Sequence, residues 1–148
     1  MIRDATPDDV GAVADLIRAL AAYEDLEHEI EWDVDGLRET LFGPGAVPRT
    51  LVAVDGEDVV GIAIWFPTYS TFQGRPGIWL EDLFVRPEHR GAGHGRALLQ
   101  ALFDRARGGR VEWAVLDWNE PSIRFYESLG AHPVSGWTRY RWLESRTD

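Results

Sequence analysis

The chain has 148 residues, 45% of them apolar and seven of them Trp, enough to bury one substantial core and too apolar for a disordered segment. Its net charge is −10, with 25 acidic residues against 15 basic ones, and every basic residue is Arg; a nucleic-acid partner is not expected, and lysine-dependent sites such as Schiff bases and P-loops are excluded. There is no Cys, no apolar run near the roughly 20 residues of a membrane span, and no signal-like apolar region after the acidic start, so the expected setting is the cytoplasm, without disulfides or a membrane.

No internal repeat or long linker interrupts the chain, and a single domain, 1–148, is expected. Residues 2–5 read as a first strand. Thr6-Pro7-Asp8-Asp9 then combines an N-cap residue, a proline at the first helical position and first-turn acids, and starts a helix with Val10, Val13, Leu16, Ile17 and Leu20 on its apolar stripe. A second helix is predicted over 34–42, ending at Gly43-Pro44-Gly45. The β-branched runs 50–54 and 59–66 form a hairpin about Asp55-Gly56-Glu57-Asp58.

A further strand is predicted over 77–85. Strict alternation places Trp79, Glu81, Leu83 and Val85 on one face, and Ile78, Leu80, Asp82 and Phe84 on the other. A glycine-rich turn follows, then a helix over 94–107 with Ala97, Leu98, Ala101 and Leu102 inward. Strand 111–116, a helix over 120–129 capped by Gly130, and closing strands at Val134 and 137–143 complete the order. Trp65, Trp79, Trp113, Trp118 and Trp142 are expected mostly in the core. The fold class is α/β, a mixed and mostly antiparallel sheet flanked by about four helices.

The turn Arg90-Gly91-Ala92-Gly93-His94-Gly95-Arg96 joins a strand to an amphipathic helix. Glycines there let the backbone approach an anion, and the helix N-terminus adds partial positive charge. A pyrophosphate-bearing ligand is the natural occupant. The dinucleotide pattern fails, because Gly91-x-Gly93 leads to Arg96 and Gly93-x-Gly95 leads to Leu98; a Walker A sequence needs a lysine. A turn that serves only chain reversal is the alternative.

On these residues the sequence resembles the GNAT acetyltransferases, whose Arg/Gln-x-x-Gly-x-Gly/Ala signature is matched by Arg90 to Gly95. Within that superfamily it is similar to the spermidine/spermine and thialysine N-acetyltransferases. The closer likeness rests on Leu20-Ala21-Ala22-Tyr23-Glu24, on 79–85, on 90–96, and on Trp118-Asn119-Glu120-Pro121-Ser122-Ile123-Arg124-Phe125-Tyr126.

The resemblance implies acetyl-CoA as cosubstrate, with no metal. Its pantetheine arm would lie along Leu83, Phe84 and Val85, and its pyrophosphate on the turn formed by Arg90, Gly91, Ala92, Gly93, His94, Gly95 and Arg96. Asn119, Glu120, Pro121 and Ser122 would contact the arm from the other side. Tyr126 falls on the family's general acid and Glu81 on the carboxylate that handles the amine proton. Tyr23, Glu24, Asp82, Glu112 and Trp113 fall at or beside the acceptor site. The implied acceptor is a small amine, and the implied assembly a homodimer through the C-terminal strands.

The chemistry asks for the same parts. A primary amine with a pKa of ~10.4 is nucleophilic in only about one molecule per thousand near neutral pH, a deficit of roughly 4 kcal/mol. A carboxylate such as Glu81, directly or through water, can remove that proton, and a tyrosine hydroxyl can protonate the departing thiolate. Each residue also has a plainer reading: Glu81 and Asp82 as salt-bridge partners or exposed strand carboxylates, Tyr126 as a core tyrosine, and Glu24 to Glu31 as a solvated charge run rather than a funnel for cations. His28, His89, His94 and His132 lack zinc spacing. Where polyamine enzymes of the family carry an Asp and a Trp, this chain has Ser70 and Phe72, which points towards the thialysine branch. Competing readings are a protein or peptide N-acetyltransferase and a CoA-binding sensor without turnover.

Overall fold

The computed structural model describes residues 1–144. Contacts divide the chain into two compact units, Met1–Ala114 and Val115–Asp148. The first contains β1 (Ile2–Asp4), α1 (Val10–Tyr23), α2 (Val34–Phe42), β2 (Arg49–Asp55), β3 (Asp58–Ser70), β4 (Arg75–Val85), α3 (His94–Ala106) and β5 (Val111–Glu112). Its sheet has the order β1-β2-β3-β4-β5, antiparallel as far as β4, with β5 parallel to β4. The expected mixed, mostly antiparallel α/β architecture is therefore the one observed.

Helix α1 begins after a 3-10 turn over Pro7–Asp9 and buries Val10, Val13, Ala14 and Leu16. Val13 and Leu16 pack with Val52, Val54, Ile62, Ile64 and Phe84, which defines the face of the sheet that α1 covers. Val10 and Ala14 continue the core onto Leu37 of α2. Helix α3 buries Leu98, Leu99 and Leu102; Ala97 and Ala101 stay half-buried, so the buried stripe includes Leu99, which the sequence reading left out.

The start of α1 is held by Asp9. Arg3 donates to both carboxylate oxygens at 2.7 and 3.0 Å, and the Thr6 N–H donates at 2.7 Å. The Arg3 hydrogen bonds lower the Asp9 pKa against the opposing effect of burial. Asp9 is the buried partner, whereas the Arg3 side chain is 37% exposed and can be solvated without it. Asp9→Ala is expected to cost about 1–2 kcal/mol at neutral pH, read by urea unfolding. A carboxylate with a depressed folded pKa contributes stability above its unfolded pKa and loses it as pH falls through the folded value. The gap between wild type and variant should accordingly narrow on acidification below the ordinary carboxylate range.

In the second unit, α4 (Glu120–Ser128) is capped by Asn119, whose side-chain oxygen accepts from the Ser122 N–H at 3.4 Å, and Pro121 lies in its first turn. Gly130, at φ +91°, turns the chain out of the helix as expected.

The C-terminal expectations need correction. The fifth strand is two residues long rather than six, and among the described residues Val134 and 137–143 form no strand. Gly136, at φ +86°, breaks the run between them. A strand exists only where a neighbour completes its ladder, and β-propensity by itself does not supply that neighbour. Trp118 and Trp142 are correspondingly exposed, whereas Trp65 is buried as expected.

Candidate active site

Strand β4 carries the central feature. Opposite β3, Ile64 pairs with Asp82 while the next residue, Trp65, pairs with Leu80, so Glu81 is an extra residue in β4. This is a β-bulge, and it breaks the alternation assumed from the sequence. Asp82 lies beside Ile64, on the face covered by α1. Phe66, two residues beyond Ile64, pairs with Trp79, and the Trp79 indole N–H donates to Glu81 Oε2 at 2.9 Å. Glu81 and Asp82 therefore share one face; the expectation that they point to opposite faces is overturned by the bulge. Glu112 of β5, in register with Trp79, belongs to the same face.

Asp82 is half-buried, and its pKa rises to about 6 through loss of hydration, then through the charges of Glu81 and Glu24. Glu24 caps the C-terminus of α1, and burial raises its pKa as well. Next in the chain, Glu27–Glu29 form an exposed 3-10 turn. The acidic run thus divides: Glu24 turns inward to the carboxylates, while Glu27, His28 and Glu29 are solvated.

Strand β4 is also open along one edge. Its pairing with β5 covers only Ile78 and Trp79, and from Leu80 to Val85 the edge opposite β3 has no neighbouring strand among the described residues. Such an edge presents backbone donors and acceptors to an extended ligand. At its end stands the glycine turn. Gly91 and Gly93 have φ of +84° and +89°, a region that side-chain-bearing residues rarely adopt, and a methyl at either would meet nothing within 4 Å. Glycine is required there for backbone shape, not for space. The ladder of α3 begins with the Ala97 N–H to Gly93 O bond at 2.9 Å, so the N–H groups of His94, Gly95 and Arg96 form the free first turn of a helix.

The whole span from Ala14 to Ala131 matches the family model described as Acetyltransferase (GNAT) family. The chain belongs to that family. It is an acetyl-transfer enzyme, similar over 95% of its length to a thialysine N-epsilon-acetyltransferase of Bos taurus, at 36% identity and 91% of that protein's length. An L-ornithine N5-acetyltransferase of Arabidopsis thaliana is 31% identical over 92% of this chain and 81% of its own. Among solved structures, a possible acetyltransferase from Clostridium difficile 630 superposes with a TM-score of 0.81 over 99% of this chain and 98% of that one, at 20% identity, a likeness of fold.

Within this GNAT enzyme the first unit brings Glu24, Glu81, Asp82 and Glu112 to one face of β4, Tyr23 lies with its ring 5.7 Å from the Arg90 guanidinium, and Leu83 to Val85 leads into the turn at 90–96. Trp113 follows β5 and is half-buried. In the second unit Tyr126 is half-buried in α4, its ring 5.6 Å from that of Phe125. Asn119 is buried as the helix cap, a role the Asn-x-x-Ser spacing could have signalled. The indole of Trp79, which holds Glu81, was missed, although the i, i+2 spacing on a strand permits the contact. Ser70 accepts from the Gln73 N–H at 3.1 Å in the turn after β3, and Phe72 is 98% exposed.

Proposed function

We propose that this enzyme transfers acetyl from acetyl-CoA to the primary amine of a small cationic or zwitterionic acceptor: a thialysine- or lysine-like amino acid, a diamine or a polyamine. The observation that carries the acceptor class is the bulge that gathers Glu81 and Asp82 on one face, close enough to Glu24 for its charge to be felt at Asp82. Three carboxylates concentrate a cation and offer a group to take its proton. The ornithine and thialysine named for the relatives are acceptors of this kind.

In this reading the chain acts as one catalytic domain. The open edge at Leu83, Phe84 and Val85 holds the pantetheine arm, and the amides of the turn from Gly91 to Arg96 hold the pyrophosphate. Asn119, Glu120, Pro121 and Ser122 are further proposed contacts of the cosubstrate. Glu81, directly or through water, takes the proton of the bound ammonium; the freed nitrogen attacks the thioester carbonyl; the C–S bond breaks, and Tyr126 protonates the thiolate. Tyr23, Glu24, Asp82, Glu112 and Trp113 surround the acceptor. The proposed location is the cytoplasm. A homodimer joined through the C-terminal segment is supported by Trp137, Tyr140, Trp142 and Leu143, 77–90% exposed, an apolar set that a second chain would cover.

The test follows CoA release with a thiol reagent, supplying acetyl-CoA with thialysine, lysine, ornithine, spermidine, spermine or an aminoglycoside. The Cys-free chain adds no background. Release with the diamino acids or polyamines supports the reading, and release only with the aminoglycoside or with none overturns it. Gly93→Ala probes the cosubstrate turn. Its added methyl has room, so the cost is conformational, about 1–2 kcal/mol, and the acetyl-CoA KM should rise about tenfold as the turn relaxes away from positive φ.

A further inference from the structure

Arg90 opens the glycine turn, where a phosphate ligand is the obvious role for an arginine. Its side chain is engaged elsewhere. The Nε–H donates to Val85 O, the last carbonyl of β4, at 2.9 Å. The guanidinium carbon lies 5.2 Å from the ring centre of Phe84 and 5.7 Å from that of Tyr23. Phe84 belongs to the core against α1, and Tyr23 is the last residue of α1. One side chain thus meets the end of the strand assigned to the cosubstrate, the core beneath it, and the helix end that leads directly into Glu24.

From this geometry we propose that Arg90 is a positioning residue for the acceptor: it ties the Tyr23 end of α1 to β4, so that the acceptor wall and the cosubstrate turn keep a fixed spacing. The proposal rests on the acceptor reading above. A planar guanidinium can lie against an aromatic ring while its Nε–H donates in the plane, whereas an ammonium on a flexible stem does not combine the two. Lysine would keep the positive charge a phosphate needs, yet lose the brace. That difference separates the two roles.

The experiment compares wild type with Arg90→Lys, Arg90→Met, Tyr23→Leu and the Tyr23→Leu/Arg90→Lys double variant. Acetyl-CoA affinity is read by calorimetry, amine KM with the best acceptor of the panel, and amide hydrogen exchange in the last turn of α1 without any ligand. Arg90→Lys should raise amine KM about tenfold and leave acetyl-CoA affinity within about twofold. It should also speed exchange at the end of α1, and the double variant should be no worse than the poorer single, because the two residues act through one contact. An Arg90→Lys variant with wild-type amine KM overturns the proposal. So does a loss confined to acetyl-CoA affinity that deepens with salt in Arg90→Met and is rescued by lysine, the signature of a phosphate ligand. The exchange readout needs no turnover: unchanged exchange in Arg90→Lys overturns the brace, while faster exchange in a protein that acetylates no amine overturns the acceptor reading instead.

Discussion

Replacing Tyr126 with Phe is expected to lower kcat about 10²–10³-fold, the usual contribution of a positioned general acid. Only the hydroxyl is removed. The ring contact with Phe125 at 5.6 Å and the Asn119 cap of α4 both remain. The departing thiolate, with a thiol pKa of ~8.5, must then draw its proton from water, and KM for acetyl-CoA should stay near wild type because binding of the cosubstrate does not use the hydroxyl. Stopped-flow or steady-state CoA release across pH checks this. A variant that retains kcat within about threefold would assign Tyr126 to packing alone.

The second large effect is expected at Asp82, where stability and activity should move in opposite directions. Its folded pKa of about 6 stands above the usual 3.8 because burial, Glu81 and Glu24 all oppose its charge. Between these two values the folded chain holds the extra proton, so stability falls as pH rises through the window. Above about pH 6 the cost is complete, on the order of 2–3 kcal/mol. Asp82→Asn removes it, and at pH 7.5 the variant should melt about 5–10 °C higher; at pH 4 the two proteins should melt together.

The same substitution should weaken the hold on a cationic acceptor. In wild type, kcat/KM for the amine should fall on the acid side with a midpoint near 6, as Asp82 takes a proton and the face loses negative charge. In Asp82→Asn that limb should move down towards the ordinary carboxylate range, and kcat/KM on the plateau should drop about tenfold or more. Glu81→Gln separates the roles of the pair. Loss of its charge should lower the Asp82 midpoint, while the loss of kcat reports removal of the proposed proton acceptor. An acid limb unchanged in Asp82→Asn would show that Asp82 does not govern the acceptor site. Natural sites often keep such a strained charge at a cost in stability.

Much of the molecule was legible in the chain because its chemistry is local. The proline and acids at 7–9 start α1 wherever it packs, the helix over 34–42 appears with the limits its pattern suggested, and the turn at 55–58 joins two β-branched runs. The glycines at 91 and 93 announce a backbone shape that only glycine adopts freely, and so announce the family. Composition and these motifs therefore outlined the architecture, while the resemblance to the GNAT acetyltransferases supplied the acetyl-transfer chemistry and the residues at which to look for it.

The tertiary structure decided what depends on two segments at once. A bulge is a mismatch in count between neighbouring strands, so nothing within 75–85 alone reveals that Glu81 and Asp82 share a face; the register against β3 does. The departure of β5 from β4 after Trp79 opens an edge that strand propensity had filled. Among the described residues, the β-favouring run 137–143 forms no strand. Arg90 reads in the sequence as a phosphate ligand, yet its guanidinium reaches Tyr23, 67 positions earlier in the chain, because α1 and β4 pack together. Local propensity chooses the elements, whereas the faces they present and the edges they leave open are set by hydrogen-bond register and packing between distant parts of the chain.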